Sequence, residues 1–275
     1  MGKRLSIITV NRNNAGDLKK TIGSVIAQTY DNFEFIVIDG ASTDDSVDII
    51  KEYAGRLSYW ISEPDNGTYQ AMNKGIMASG GEYCLFLNSG DYLIDNKVLE
   101  RIFSQDFIAD IVSGDILKIR SNKKFRRVCS PESVSLHKLC IHSLPHQGTL
   151  IRRSLFDEIG YYTESYKIVS DWEFFLKALV IYEKSYLHID MDFSYFKIGG
   201  ISSTKENYQL AREESYDCLK RNFPKFVEDL MEYRYFYNSD FGQIYSLLKK
   251  KKRLYNFIDN VCGWLLRSKK AIVGK

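Results

Sequence analysis

Short apolar runs alternate with amphipathic stretches across residues 1–91, and this alternation limits the possible folds more than any other feature of the chain. Apolar runs fall at 5–10, 33–38, 59–62 and 83–87. The last of them, Tyr83-Cys84-Leu85-Phe86-Leu87, carries no charge, as expected of a strand buried on both faces of a sheet. Between the first two runs, Leu18, Ile22, Val25 and Ile26 stand at i, i+4, i+7 and i+8 behind an acidic start, which predicts a helix over 17–28. Val47, Ile49, Ile50 and Tyr53 predict a short second helix. Met72 and Ile76 predict a third over 68–78, ended by Gly80-Gly81. Strand and helix in strict turn predict a parallel sheet with right-handed crossovers.

Beyond about residue 110 the regularity breaks. Short strands are expected at 111–112, 116–119, 125–128 and 148–151, partly antiparallel, with a longer strand at 186–196. Helices are expected at 154–159, 171–182 and 205–222, followed by a helical tail over the last 50 residues. A chain of 275 residues accommodates one large α/β domain, or a smaller one with an appendage. A net charge of +3 is too small to point to nucleic acid, and no nucleic-acid partner is expected. The five cysteines are scattered and never form a C-x-x-C pair, which argues against a disulfide framework or a zinc site and for a reducing compartment. The apolar run at the start is too short for a secretion signal or a membrane span, so a cytoplasmic location is expected.

Polar residues collect where the apolar runs stop. Thr9 to Asn11, Asp39, Asp65-Asn66 and Asp91 each follow one of the first four predicted strands. A parallel sheet brings these ends to one edge, where ligands bind in open α/β sheets. Asp91, after the turn residues Asn88-Ser89-Gly90, is a hard carboxylate suited to Mg²⁺ or Mn²⁺ when a ligand's phosphates supply further oxygens. No G-x-G-x-x-G follows the first strand and no Walker A sequence occurs, which argues against a nicotinamide enzyme or a P-loop ATPase.

The succession Thr-Val-Asn-Arg-Asn (9–13), Val-Ile-Asp-Gly-Ala-Ser-Thr-Asp (37–44), Ser-Glu-Pro-Asp-Asn-Gly-x-Tyr-x-Ala-Met-Asn-Lys-Gly (62–75) and Phe-Leu-Asn-Ser-Gly-Asp (86–91) resembles the family 2 glycosyltransferases of the GT-A fold. The likeness is strongest to their bacterial colanic-acid and exopolysaccharide branch and extends over roughly residues 3–203. It implies a Rossmann-like, mostly parallel central sheet with flanking helices and a C-terminal helical tail. The implied domains are a transferase domain at 1–204, with a nucleotide-sugar half (1–91) and an acceptor half (92–204), and an extension at 205–275. The implied reaction is inverting transfer of a sugar from a nucleotide donor, UDP-linked by expectation, to a glycan or a lipid-linked acceptor, with Mn²⁺ or Mg²⁺ as cofactor.

By the same resemblance, Thr9 and Asn11 line the nucleotide pocket, Asp39 bonds the base, Asp65 approaches the nucleotide or its ribose, and Lys74 faces the phosphates. Asp91 closes the family's D-x-D metal motif, although Asn88-Ser89-Gly90 offers amides and a hydroxyl in place of the first acid. Asp171 matches the catalytic base, with Ser170 in place of the common acidic neighbour; Glu173, two positions on, points elsewhere on a helix. His146 and Gln147 match a segment near the donor and acceptor, Trp172 either stacks on a sugar or belongs to the core, and 199–202 matches a mobile loop.

The tail combines Lys249 to Arg253 with Leu254, Phe257, Ile258, Val261, Trp264, Leu265 and Leu266 at helical spacing. That pattern suits a helix lying on an anionic membrane or one packed on the domain. Two competing functions use related folds. A sugar nucleotidyltransferase needs a Gly-rich basic loop after the first strand, and Asn11 to Gly16 has one Gly and one Arg. A noncatalytic sugar-binding protein would bind nucleotide but not need Asp171.

Overall fold

The computed structural model describes residues 2–119, 125–199, 207–252, 254–256, 258–260 and 262. The alternation of the first 91 residues folds as it reads. Strands β1 (Leu5–Asn11), β2 (Phe33–Asp39), β3 (Tyr59–Ser62) and β4 (Tyr83–Phe86) are all parallel, in the order β3-β2-β1-β4. Helices α1 (Ala15–Ile26), α2 (Ser46–Glu52) and α3 (Thr68–Ala78) connect them. The apolar stripe of α1 (Leu18, Ile22, Val25) packs with Leu5, Ile7, Phe35 and Leu85 in one buried cluster. Burying each such side chain contributes about 1.5–3 kcal/mol.

The sheet continues through β5 (Tyr92–Leu93), α4 (Val98–Phe103), β6 (Ile111–Ile119), β7 (Phe125–Val128), α5 (Leu136–Ile141), β8 (Thr149–Arg152), α6 (Ser154–Ile159), α7 (Ser170–Leu176), β9 (Tyr186–Lys197) and α8 (Asn207–Asn222). Its full order is β3-β2-β1-β4-β8-β6-β9-β5, with β7 on β6; β8 runs antiparallel to β4 and β6, and β9 parallel to β6. The architecture is therefore the expected α/β one, with parallel order concentrated in the first four strands.

Three differences from the sequence expectations have physical causes. The runs at 111–112 and 116–119 form one strand, because the polar residues between them are satisfied inside the sheet. Ser113 bonds Ser130 at 2.7 Å and Thr149 at 2.8 Å, and Asp115 accepts from the Ser130 N–H at 2.9 Å. Gly114 is required there, since a Cβ would lie 2.2 Å from the Phe193 ring. The helix expected at 171–182 is α up to Leu176 and then a π turn, Lys177–Ile181. Finally, β5, α4 and α5 are too short for their periodicity to stand out.

The chain divides into two compact units, Met1–Asn222 and Phe223–Lys275. In the second, α9 (Val227–Asn238) and α10 (Asp240–Lys250) pack on each other, and α10 exposes Phe241, Ile244 and Leu247. Most of the apolar positions expected in the tail beyond Leu254, and the loop expected at 200–202, lie outside the described residues. Among the described residues no helix is long and apolar enough to cross a membrane.

Candidate functional site

The C-terminal ends of β1, β3 and β4 open onto a cleft of about 640 Å³. Asn11, Asp65, Asn88, Asp91, His146, Gln147 and Asp171 all line it, so seven of the chain's polar residues from distant segments meet at one place.

The first two loops are zipped together. The side chain of Asn13, in the left-handed region at φ 49°, accepts the Thr43 N–H at 2.7 Å, and its own N–H donates to Ser42 Oγ at 2.7 Å. Asp44 accepts the Ala15 N–H at 3.0 Å, capping α1 from outside the helix. Beneath them, Asn11 donates from Nδ2 to Asp39 Oδ1 at 2.7 Å. Asp39 also accepts from Ser42 N–H (2.9 Å), Ser42 Oγ (2.6 Å) and Ser62 Oγ (2.6 Å). Burial pushes the Asp39 carboxyl up, but these bonds together outweigh it and hold the group below its ordinary value. Asp65 stands beside Gly40, whose hydrogen leaves room that a Cβ, 2.3 Å from Asp65 Oδ2, would take.

The turn after β4 is pinned from α1. Thr21 donates from Oγ1 to the Asp91 carbonyl at 2.7 Å and accepts the Gly90 N–H at 3.0 Å; Gly90 supplies the turn's φ of 107°. Asp91 is buried. Burial pushes its carboxyl up to about 7, opposed by the charge of His146 and a hydrogen bond from Gln147. Asn88 Oδ1, in the same turn and on the same cleft wall, is buried with no hydrogen-bond partner. An orphaned oxygen beside a carboxylate fits a hard divalent cation. No group of three or more His, Cys, Asp or Glu among the described residues forms a complete metal cage, so a bound diphosphate would have to complete the coordination.

Asp171, in the first turn of α7, lines the same cleft. Its Oδ2 lies 3.1 Å from His146 Nδ1, and its Oδ1 is 2.9 Å from both the Tyr69 hydroxyl and the Trp172 N–H. Burial pushes His146 down, but the hydrogen bond and charge of Asp171, with the charge of Asp91, raise it overall. His146 Nε2 is buried and unpartnered. Glu173 turns away into the protein, where it accepts from Thr163 at 2.5 Å, so one of the two carboxylates faces the cleft as helical geometry requires.

Four expected site residues are placed elsewhere. Trp172 is buried in the core with its Nε1 donating to Leu139 O at 2.6 Å, so its ring faces do not stack on a sugar. Lys74 pairs with Glu63 at 2.7 Å and donates to Pro64 O, on the side of α3 away from the cleft. Asp39 is 0% exposed and fully engaged by its neighbours, which leaves it no oxygen for a base and makes it the residue that orients Asn11. Thr9 is enclosed in β1 and does not line the cleft. Sequence reasoning missed Tyr69, Lys167, Lys197 and Arg12 as cleft residues. Lys197 pairs with Asp17 at 2.6 Å, whereas Arg12 and Lys167 are exposed cations facing the opening. Two of them had a signal, Arg12 directly after Asn11 at a strand end and Tyr69 as a fixed position of the 62–75 motif.

Residues 6–170 match the sequence model described as Glycosyl transferase family 2. A PGL/p-HBAD biosynthesis glycosyltransferase of Mycobacterium bovis is 30% identical over 210 residues, 72% of this chain and 79% of that protein. Among solved structures, S. aureus TarS (residues 1–349) in complex with UDP-GlcNAc has a TM-score of 0.63 at 18% identity, covering 87% of this chain and 68% of that one. The mannosyltransferase PcManGT of Pyrobaculum calidifontis, in complex with GDP-Man and Mn²⁺, has a TM-score of 0.62 at 15% identity, covering 100% of this chain and 81% of that one.

Proposed function

The chain belongs to glycosyltransferase family 2, and on that premise we propose that it transfers a sugar, with inversion, from a UDP-linked donor to a hydroxyl of a cell-surface glycan or lipid-linked oligosaccharide. The observation that carries the reading is the meeting of Asp91 and Asp171 in one cleft, one below the strand ends and the other at a helix start. The complexes of TarS with UDP-GlcNAc and of PcManGT with GDP-Man support a nucleotide-sugar donor, the former a UDP-linked one, and the Mn²⁺ in the latter supports the cofactor.

In this reading the acceptor hydroxyl attacks the anomeric carbon as Asp171 takes its proton, and the bond to the diphosphate breaks with its electron pair leaving on UDP. No covalent glycosyl-enzyme forms. Asp171 is held for this task by Tyr69 and His146. Asn11 and Asp65 orient the nucleoside, and Arg12 and Lys167 offer charge to the phosphates. A Mn²⁺ or Mg²⁺ ion held by Asp91 and Asn88 would neutralise charge growing on the leaving diphosphate. We assign the nucleotide-sugar half to 1–91 and the acceptor half to 92–204, and the site of action to the cytoplasmic face of the membrane.

The test is Asp171→Asn, with UDP release followed over a panel of UDP-sugars and saccharide acceptors. Loss of a positioned base should lower kcat roughly 10²–10⁴-fold with UDP affinity retained. Wild-type turnover in the variant would remove Asp171 from the role; intact UDP binding with no turnover by either protein would favour the noncatalytic reading.

A further inference from the structure

Helix α8 lies beyond the residues that match the family, yet it holds the segment that carries Asp171. Glu214, on α8, is buried, and its carboxylate accepts three consecutive backbone N–H groups: Lys167 at 2.7 Å, Ile168 at 3.0 Å and Val169 at 3.3 Å. These lie directly ahead of α7, at the end of a helix where backbone donors lack partners and negative charge is favoured. The same helix grips both flanks of the segment. Asp217 accepts from the Tyr166 hydroxyl at 2.7 Å, and Asn222 donates to Glu173 at 3.5 Å. From the cleft side, the Tyr69 hydroxyl lies 2.7 Å from the Ile168 carbonyl and 2.9 Å from Asp171 Oδ1.

We propose that Glu214 is a positioning residue for Asp171. By fixing the backbone of 167–169 it sets the direction in which α7 starts, and so the direction of the Asp171 carboxylate towards His146 and the cleft. Without it, three N–H donors lose their shared acceptor, and the loop is freed to shift towards water that replaces it. A displacement of about 1 Å at a reacting group costs on the order of a hundredfold in rate. The proposal rests on Asp171 being the base, but the contact it describes is measurable without any substrate.

The experiment compares wild type, Glu214→Ala, Glu214→Gln and Asp171→Asn by NMR titration of the His146 imidazole, alongside UDP release over the same UDP-sugar panel. A merely structural glutamate would lower the thermal midpoint and leave the His146 titration where it is. Positioning predicts that Glu214→Ala moves the His146 titration down towards its value in Asp171→Asn, and lowers kcat roughly ten- to a hundredfold at unchanged UDP affinity. Glu214→Gln keeps the side chain's shape and one acceptor oxygen, so it folds where alanine fails to, and its values should fall between wild type and Asp171→Asn. Removing Glu214 in the Asp171→Asn background should cost nothing further in turnover. A His146 titration unchanged in both Glu214 variants overturns the proposal. Wild-type turnover in Asp171→Asn, with the titration still shifted by Glu214→Ala, overturns the assignment of the base and leaves the positioning contact standing.

Discussion

Asp171, His146 and Tyr69 act as a unit, and their coupling has a consequence for stability. The paired His146 titrates above the ordinary imidazole value of about 6.5 because Asp171 and Asp91 favour its charged form more than burial disfavours it. A raised value in the folded state means that the stabilisation is fully present below about pH 6.5 and is lost as pH rises through the folded value. Asp171→Asn removes the charge partner. The gap in thermal midpoint between wild type and Asp171→Asn should therefore be widest near pH 6 and narrow towards pH 9, measured without metal or nucleotide. A gap that widens with pH would contradict the pairing. Asp91 and Asp171 were legible in the sequence because each sits at a strand end or a helix start. The motif left Trp172 open between sugar and core and placed Lys74 towards the phosphates, because a motif fixes order along the chain but not helical phase. Each helical residue turns by roughly 100° from the last, so Trp172 enters the core beside Asp171, and Lys74 faces away from the cleft that Tyr69 and Met72 line.

Among the elements, the loops after β1 and β3 line the side of the cleft proposed for the nucleotide, with the β2 loop packed behind them, and their fit depends on close approach. Gly40 lies so close to Asp65 that an added Cβ would stand 2.3 Å from its Oδ2. The contact is with the far end of a flexible carboxylate rather than with backbone, so Gly40→Ala should displace Asp65 more than it strains the fold. UDP affinity measured by calorimetry is expected to weaken about tenfold, the loss of one charged hydrogen bond, with little change in thermal midpoint. Unchanged affinity would place Asp65 outside the nucleotide contacts. Strands β1 and β4 could be read because parallel strands covered on both faces are mostly apolar, and β2 and β3, less fully covered, from the alternation with helices around them. The contact of Glu214 with the α7 start could not be, since the carboxylate reaches backbone N–H groups 45 to 47 residues away and leaves no pattern in residue types.

For the molecule as a whole, the two units divide the work proposed for them. The first contains the cleft; the second carries α10, which exposes Phe241, Ile244 and Leu247 ahead of Lys249 to Lys252. Apolar side chains beside a basic run suit the surface of an anionic membrane. The protein is expected to cosediment with vesicles rich in phosphatidylglycerol, less so at high salt, and to lose this on joint replacement of Phe241, Ile244 and Leu247 by serine. Equal sedimentation of that variant would assign the stripe to packing instead. Whether the cleft of the first unit binds a nucleotide through a metal at Asp91 is decided by thermal melting with UDP, with and without Mn²⁺, in wild type and Asp91→Asn. Nucleotide at 100 times its Kd stabilises by about 2.7 kcal/mol, a shift on the order of 5–10 °C. A metal-bridged site predicts this shift for wild type with UDP and Mn²⁺ together, a smaller one with UDP alone, and loss of the metal-dependent part in Asp91→Asn. A shift of equal size with and without metal, or none with saturating UDP, would contradict it.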